Sequence, residues 1–145
     1  MYELKKLLVI LFSVFVLAAC SGDVYEGQDA EEAILNLQKD FIKDLTDLQM
    51  VDVNENEVFA VFKAVISGEP EVFVAYVKQD GEKWRVQEAI AVGHETVDDL
   101  PPAKGEYIEG EFINRTSDST EVEQVDGKYI FNLQNTERAV TVKFK

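Results

Sequence analysis

The stretch Val58-Phe59-Ala60-Val61-Phe62-Lys63-Ala64-Val65-Ile66 decides the fold of this chain. Lys63 is its only polar residue. A nearly continuous apolar run of this length is typical of a β-strand that is buried on both faces. We therefore predict a central strand over residues 58–66.

The segments that follow predict a meander of antiparallel strands. A turn at Ser67-Gly68-Glu69-Pro70 separates the first strand from a second one over residues 72–79. Asp80-Gly81 is a strong hairpin signal and leads into a third strand over residues 83–92. One face of this third strand is predicted to be apolar, with Glu88 as an exception among Trp84, Val86, Ile90 and Val92.

An amphipathic helix is predicted upstream, over residues 29–49. Asp29-Ala30-Glu31-Glu32 has the Asp-x-x-Glu form of an N-cap and capping box. Apolar residues then recur in steps of three and four, which is the spacing of one helix face. They are Ile34, Leu37, Phe41, Leu45 and Leu48.

A loop from Gly93 to Gly105 follows the meander, because Pro101-Pro102 cannot continue a central strand. Beyond it, we predict four more strands at about 106–114, 120–125, 128–134 and 138–145. The predicted fold class is α+β: an N-terminal amphipathic helix packed on an antiparallel, mostly meandering sheet of about seven strands. Residues 29–145 are expected to form one domain, because a separate second unit would have only about forty residues.

The composition excludes several classes of function. The 145-residue chain has 28 acidic and 14 basic side chains and a formal net charge of −14. This excess argues against nucleic acid as a partner, because phosphate binding requires clustered Lys and Arg. A single Cys and a single His exclude an intrachain disulfide, the HExxH motif and any three-His metal site. No cofactor and no metal site are predicted.

The first twenty residues have the order of elements found in a secretory signal. Lys5 and Lys6 precede an apolar run from Leu7 to Ala19, which is too short for an ordinary bilayer span. The run ends in Leu17-Ala18-Ala19-Cys20, which resembles the lipobox of bacterial lipoproteins.

This resemblance implies that residues 1–19 are a signal peptide and that signal peptidase II cuts between Ala19 and Cys20. It also implies that the Cys20 thiol carries a diacylglyceryl lipid, with residues 20–28 as lipidated Cys and short tether. Two acyl chains give a stable anchor. The expected location is therefore the extracytoplasmic face of the cell membrane, with the membrane itself as one partner.

A second resemblance concerns residues 29–92, a helix followed by a meander with Lys78-Gln79-Asp80-Gly81-Glu82-Lys83-Trp84-Arg85-Val86 at its hairpin. This arrangement is similar to the cystatin-like and NTF2-like domains common in bacterial lipoproteins. Such domains serve as binding domains, inhibitors, pore-lining modules and occasionally enzymes. The predicted strands also allow a lipocalin-like fold around a small apolar ligand.

One loop has residue types that could form a polar site. His94, Glu95, Asp98 and Asp99 place an imidazole near carboxylates, which could hold a metal or supply a general base. A solvated loop explains the same residues, and the sequence leaves the choice open. Serine catalysis would require a seryl hydroxyl to meet His94, but the Gly-x-Ser-x-Gly motif is absent.

Two other patterns have simpler explanations than chemistry. Residues 52–56 begin like a calcium loop, but Glu57 stands where Gly is needed and Lys63 where a bidentate Glu is needed. Glu109 and Glu111 could be the paired carboxylates of a glycosidase, yet alternation along a half-buried strand also explains them.

We therefore expect a non-enzymatic binding or interaction module of the bacterial cell envelope, with another envelope protein or a peptide as its partner. The alternative is a lipocalin-like carrier or sensor of a small apolar ligand. A small hydrolase ranks third, because no nucleophile, base and orienting group are recognisable together. An interior apolar cavity would favour the carrier, whereas a filled core with an exposed apolar surface would favour the interaction module.

Overall fold

The computed structural model describes residues 24–97, 100–117, 119–134 and 136–145. The predicted signal peptide, its cleavage site at Ala19 and Cys20, and the candidate residues Asp98 and Asp99 lie outside these ranges. Within the described ranges, no helix has the length and apolar character needed to cross a membrane.

The predicted meander lies in the first of two antiparallel sheets. The strands of this sheet are β1 (Glu26–Gly27), β2 (Lys43–Asn54), β3 (Glu57–Ile66), β4 (Glu69–Asp80) and β5 (Lys83–Gly93). Their spatial order is β1-β5-β4-β3-β2. The strands predicted at 58–66, 72–79 and 83–92 lie within β3, β4 and β5. Between β1 and β2 the chain forms α1 (Ala30–Leu35) and a 3₁₀ helix (Asn36–Lys39).

The second sheet follows the Pro101-Pro102 segment. It contains β6 (Ala103–Lys104), β7 (Ile108–Asn114), β8 (Glu123–Val125), β9 (Lys128–Asn132) and β10 (Arg138–Phe144), in the order β6-β7-β10-β9-β8. The described chain is thus mostly β, with one short α-helix. The predicted single sheet of about seven strands is wrong, because ten described strands form two separate five-stranded sheets.

The predicted helix over residues 29–49 is also wrong in its length. Asp29 does cap α1, since its Oδ1 accepts a hydrogen bond from the backbone N–H of Glu32 at 2.8 Å. However, α1 ends at Leu35 and the 3₁₀ helix ends at Lys39. The second half of the predicted helix is part of β2.

Two β-bulges in β2 explain this error. β2 twice advances three residues while β3 advances two. Left-handed backbone conformations occur in both bulges, at Asp44 (φ 53°) and Asp47 (φ 54°). The second bulge brings Leu45 and Leu48, which are three residues apart, onto the same face of the sheet. A bulged strand therefore reproduced the spacing of a helix face.

The first sheet is the middle layer of three, and both of its faces are buried. One face packs on α1, where the rings of Phe62 and Phe73 stack with centroids 5.5 Å apart. The other face packs on the second sheet, where Phe59 contacts Tyr129 edge to face at 5.4 Å. Alternation along β3 and β4 supplies apolar side chains to both cores, as expected for a strand buried on both sides.

The predicted face of the third strand is only partly correct. The register between β4 and β5 shifts between Tyr76 and Val77, which leaves one extra residue in β5. As a result Trp84 and Val86 pack on the α1 side of the sheet. Glu88 lies on the side of the second sheet, together with Ile90 and Val92.

Candidate functional site

In the loop after β5, His94 and Glu95 make separate polar contacts. His94 Nδ1 lies 2.6 Å from Thr96 Oγ1 and accepts the backbone N–H of Thr96 at 3.2 Å. Glu95 instead forms an ion pair with Lys63, at 2.9 Å between Oε2 and Nζ. Among the residues that the structure describes, no group of His, Cys, Asp and Glu side chains is arranged to hold a metal ion.

A small recess lies beside this loop, between His94 and Glu71. Burial raises the pKa of the Glu71 carboxyl, the charge of Glu69 raises it further, and His94 opposes both effects. The recess has a volume of about 30 Å³, which is enough for about one water molecule. The recess itself therefore has room for little more than a water molecule.

The other acidic candidates have structural roles. Glu109 lies on the outer face of β7 and pairs with Lys143 of β10, at 3.5 Å between Oε2 and Nζ. At the end of β2, Asn54 Oδ1 accepts the backbone N–H of Asn56, and Asn54 Nδ2 donates to Glu57. These contacts stabilise a hairpin turn at the segment that begins like a calcium loop.

A tyrosine–carboxylate pair links β4 to β3. The Tyr76 hydroxyl donates to Glu57 Oε2. Burial and this bond raise the pKa of Tyr76, while the bond to Tyr76 lowers the pKa of Glu57, helped by the Asn54 amide. Both shifts keep the phenol protonated and the carboxyl ionised, so the pair remains a stable hydrogen bond near neutral pH.

Glu88 of β5 in the first sheet binds the turn between β6 and β7 of the second sheet. Its Oε2 accepts the backbone N–H of Glu106 at 2.6 Å, and its Oε1 accepts those of Tyr107 and Ile108, each at 3.1 Å. Glu88 itself is buried. Gly105 lies against the carboxylate so closely that a Cβ at this position would overlap it. Both oxygens of the Glu88 carboxylate thus accept backbone hydrogen bonds, and the group has a structural role.

The free edge of the first sheet has a different character. β2 forms one end of this sheet and pairs only with β3 among the described strands. Its register is regular from Gln49, opposite Val61, to Asp52, opposite Val58. The outward-facing backbone groups of this stretch have no strand partner in the described chain, so they can pair with an added strand.

A groove reaches this edge on the α1 side of the sheet. We call it the acidic groove. Its volume is about 440 Å³, and it is lined by Asp29, Ala30, Glu31, Met50, Asp52, Val58 and Trp84. Met50 is 40% exposed although it is a large apolar side chain. None of the described Lys or Arg side chains forms an ion pair with Asp29, Glu31 or Asp52, so the groove has uncompensated negative charge.

A second recess lies along the same edge, and we call it the edge recess. Its volume is about 370 Å³. It is lined by Asp47, Leu48, Gln49 and Met50 of β2 and by Thr120, Val122 and Gln134. The Gln49 side chain donates to the backbone C=O of Asn132 at 2.8 Å, which ties the edge strand to the second sheet.

The sequence identified only part of this arrangement. Trp84, one of the apolar residues on the predicted third strand, lines the acidic groove. Phe73 and Tyr76 are buried in the two cores. The exposure of Met50 could not be predicted from neighbouring residues, because it depends on the position of its strand at the edge of the sheet. The chain as a whole matches no family model, no curated protein and no solved structure.

Proposed function

We propose that this chain is a lipid-anchored extracytoplasmic protein of the bacterial cell envelope, and that its folded part is a non-enzymatic module that binds an extended segment of another envelope protein. The lipobox resemblance at Cys20 supports the anchor. The observation that supports the binding role is the free edge of β2, flanked by the acidic groove and the edge recess.

Strand addition is the binding mode that this edge favours. An extended segment would pair its backbone with the outward N–H and C=O groups of Gln49 to Asp52. Its alternate side chains would point to opposite faces of the sheet, as in any β-strand. One set would enter the acidic groove and the other would lie toward the second sheet, so specificity would come from both sides of the edge.

Charge indicates which kind of segment binds. The chain has a net charge of −14, and Asp47 and Asp52 lie on the edge strand itself. A second copy of this chain would bring together two edge strands that both have net negative charge, which disfavours their pairing. A segment with net positive charge would instead meet opposite charges. We therefore commit to a cationic extended segment as the occupant.

The carrier alternative has less support. Phe59, Phe62, Phe73 and Phe131 are fully buried and fill the two cores. The described strands form two open sheets rather than one sheet closed on itself. The acidic groove and the edge recess are both open to the surface, which favours a protein segment over an enclosed small ligand.

A photo-crosslinking residue at position 50 tests the binding role in the full chain within its own membrane. We expect cross-links from position 50 to map to one extended, net positive segment of one partner. The matched control is Val125, a similarly exposed apolar side chain on β8 of the other sheet. Equal cross-linking from both positions, or mapping to many unrelated segments, contradicts the proposal.

The anchor is tested separately with Cys20→Ser. Intact mass of the wild-type protein should correspond to a chain that begins at Cys20 and carries acyl groups. The variant should lose both the cleavage and the acyl mass and should remain unprocessed. Wild-type protein that retains residues 1–19 without lipid would refute the anchor and leave the binding test unaffected.

A further inference from the structure

We propose that the acidic groove is the specificity site of the module and takes one long basic side chain, Lys or Arg, from the bound segment. This inference rests on the proposed function, since it concerns the segment that adds to β2. The groove reaches the edge strand through Met50 and Asp52. A side chain projecting from an added strand on the α1 side would therefore enter it directly.

The carboxylates around the groove lack the ion pairs that some other acidic side chains of this chain form. Asp47, Glu26 and Glu95 each have a Lys or Arg within ion-pair distance. Glu31 and Asp52 have none among the described residues, and no Lys or Arg lines the groove. Asp29 uses one oxygen to cap α1. A cationic group entering the groove would thus supply the missing counter-charge without displacing an existing partner.

The walls of the groove suit the stem of a long side chain. Met50, Val58 and Trp84 provide apolar surface between the carboxylates. Lys and Arg bury an aliphatic stem against such surface while their charged end stays near polar groups. A Leu or Phe side chain could use the same walls but would leave the carboxylates without a partner, and a Glu side chain would be repelled by them. The combination of apolar walls and unpaired carboxylates therefore selects a basic residue.

Three peptides of about nine residues test this inference. Their residues alternate between Thr and Val, except that the central residue is Arg in the first peptide, Gln in the second and Glu in the third. The full-length lipidated protein is held in detergent micelles at low salt. We expect the Arg peptide to bind about tenfold more tightly than the Gln peptide, and the Glu peptide to bind most weakly. The preference for Arg should shrink as salt is added, because salt screens exposed charges.

The double variant Glu31→Gln with Asp52→Asn removes two groove charges and keeps the side-chain shapes. It should abolish the preference for Arg over Gln. The control is Glu69→Gln with Glu106→Gln, which changes the net charge equally at two exposed positions outside the groove, and it should keep the preference.

Amide hydrogen exchange at those amides of Gln49 to Asp52 that point away from β3 separates the two possible failures. If all three peptides protect these amides and bind with equal affinity, the groove is not a specificity site for a basic side chain, but strand addition to β2 still holds. An absence of protection by any of the three peptides would contradict both proposals. Loss of the Arg preference in the control double variant would show that general charge, and not the groove, attracts the peptide, and would also overturn the inference.

Discussion

Glu88 provides the sharpest test of how the two sheets are joined. We expect Glu88→Gln to destabilise the protein, because the amide can offer only one acceptor oxygen where the carboxylate offers two. The remaining position would hold an NH₂ group facing a backbone N–H donor. In the most favourable orientation the amide oxygen keeps the bonds from Tyr107 and Ile108, and the bond from Glu106 is lost.

The magnitude follows from these bonds. A hydrogen bond to a charged group contributes about 1.5–3 kcal/mol, and a neutral one about 0.5–1.5 kcal/mol. One bond is lost and two become neutral, but Gln also avoids the cost of burying a charge. We therefore expect the free energy of unfolding to fall by about 2 kcal/mol, which lowers Tm by roughly 8 °C for a domain of this size.

The assay is thermal and urea unfolding, combined with amide exchange at residues 106–108, which should become faster. Glu111→Gln is the matched control, because this half-buried Glu lies on the outer face of β7, and it should change stability by less than about 0.5 kcal/mol. Gly105→Ala should destabilise by forcing the Glu88 carboxylate away. In a Glu88→Ala background the added cost of Gly105→Ala should be smaller. Equal effects at Glu88 and Glu111, or strict additivity with Gly105→Ala, would refute the reasoning.

Three further predictions concern charge, packing and backbone conformation. The pKa of the Glu71 carboxyl is raised on folding by burial and by the charge of Glu69. The native state therefore binds more protons than the unfolded state, and stability falls as pH rises through that pKa. Glu71→Gln should raise Tm at pH 7, and this gain should disappear in acid. Phe73→Ala should lower the free energy of unfolding by about 3–5 kcal/mol, because this ring is fully buried. Leu35→Ala, at an exposed position, should lower it by less than about 0.5 kcal/mol in the same denaturation series. Asp44 has a left-handed backbone, with φ of 53°. Substitution by Gly should be tolerated, and substitution by Val should lower the free energy of unfolding by about 1–3 kcal/mol. Similar Tm values for the two variants would contradict the left-handed conformation.

The strands and turns that depend mainly on neighbouring residues could be predicted from the sequence. The apolar run over 58–66 and the Asp80-Gly81 hairpin signal act through local contacts and turn geometry, and both lie where the structure has a strand and a turn. β1 and β6 escaped prediction because two residues give no periodic pattern. The bulges of β2 change its period from two to three, so its apolar residues recur with a spacing that also predicts a helix.

The acidic groove beside the β2 edge was harder to predict because its parts are distant in sequence. The acidic groove combines residues from α1, β2, β3 and β5, which meet only after the sheet has formed. Glu88 was recognised as an exception on its strand, but the bulge in β5 that turns it toward the second sheet has no signature in composition. A polar residue that interrupts an apolar face is thus a useful signal for a buried anchor, even where its partners cannot be identified.

If the chain is anchored as proposed, the positions of β1 and β2 bear on which sheet edge faces away from the membrane. They are the two outermost strands of the first sheet, four strand spacings or about 19 Å apart. β1 lies next to the amino-terminal side of the described chain. A chain tethered to a bilayer through that side would hold β1 toward the lipid and turn β2 outward. Segments arriving from across the envelope would then reach the open strand without first touching the lipid headgroups.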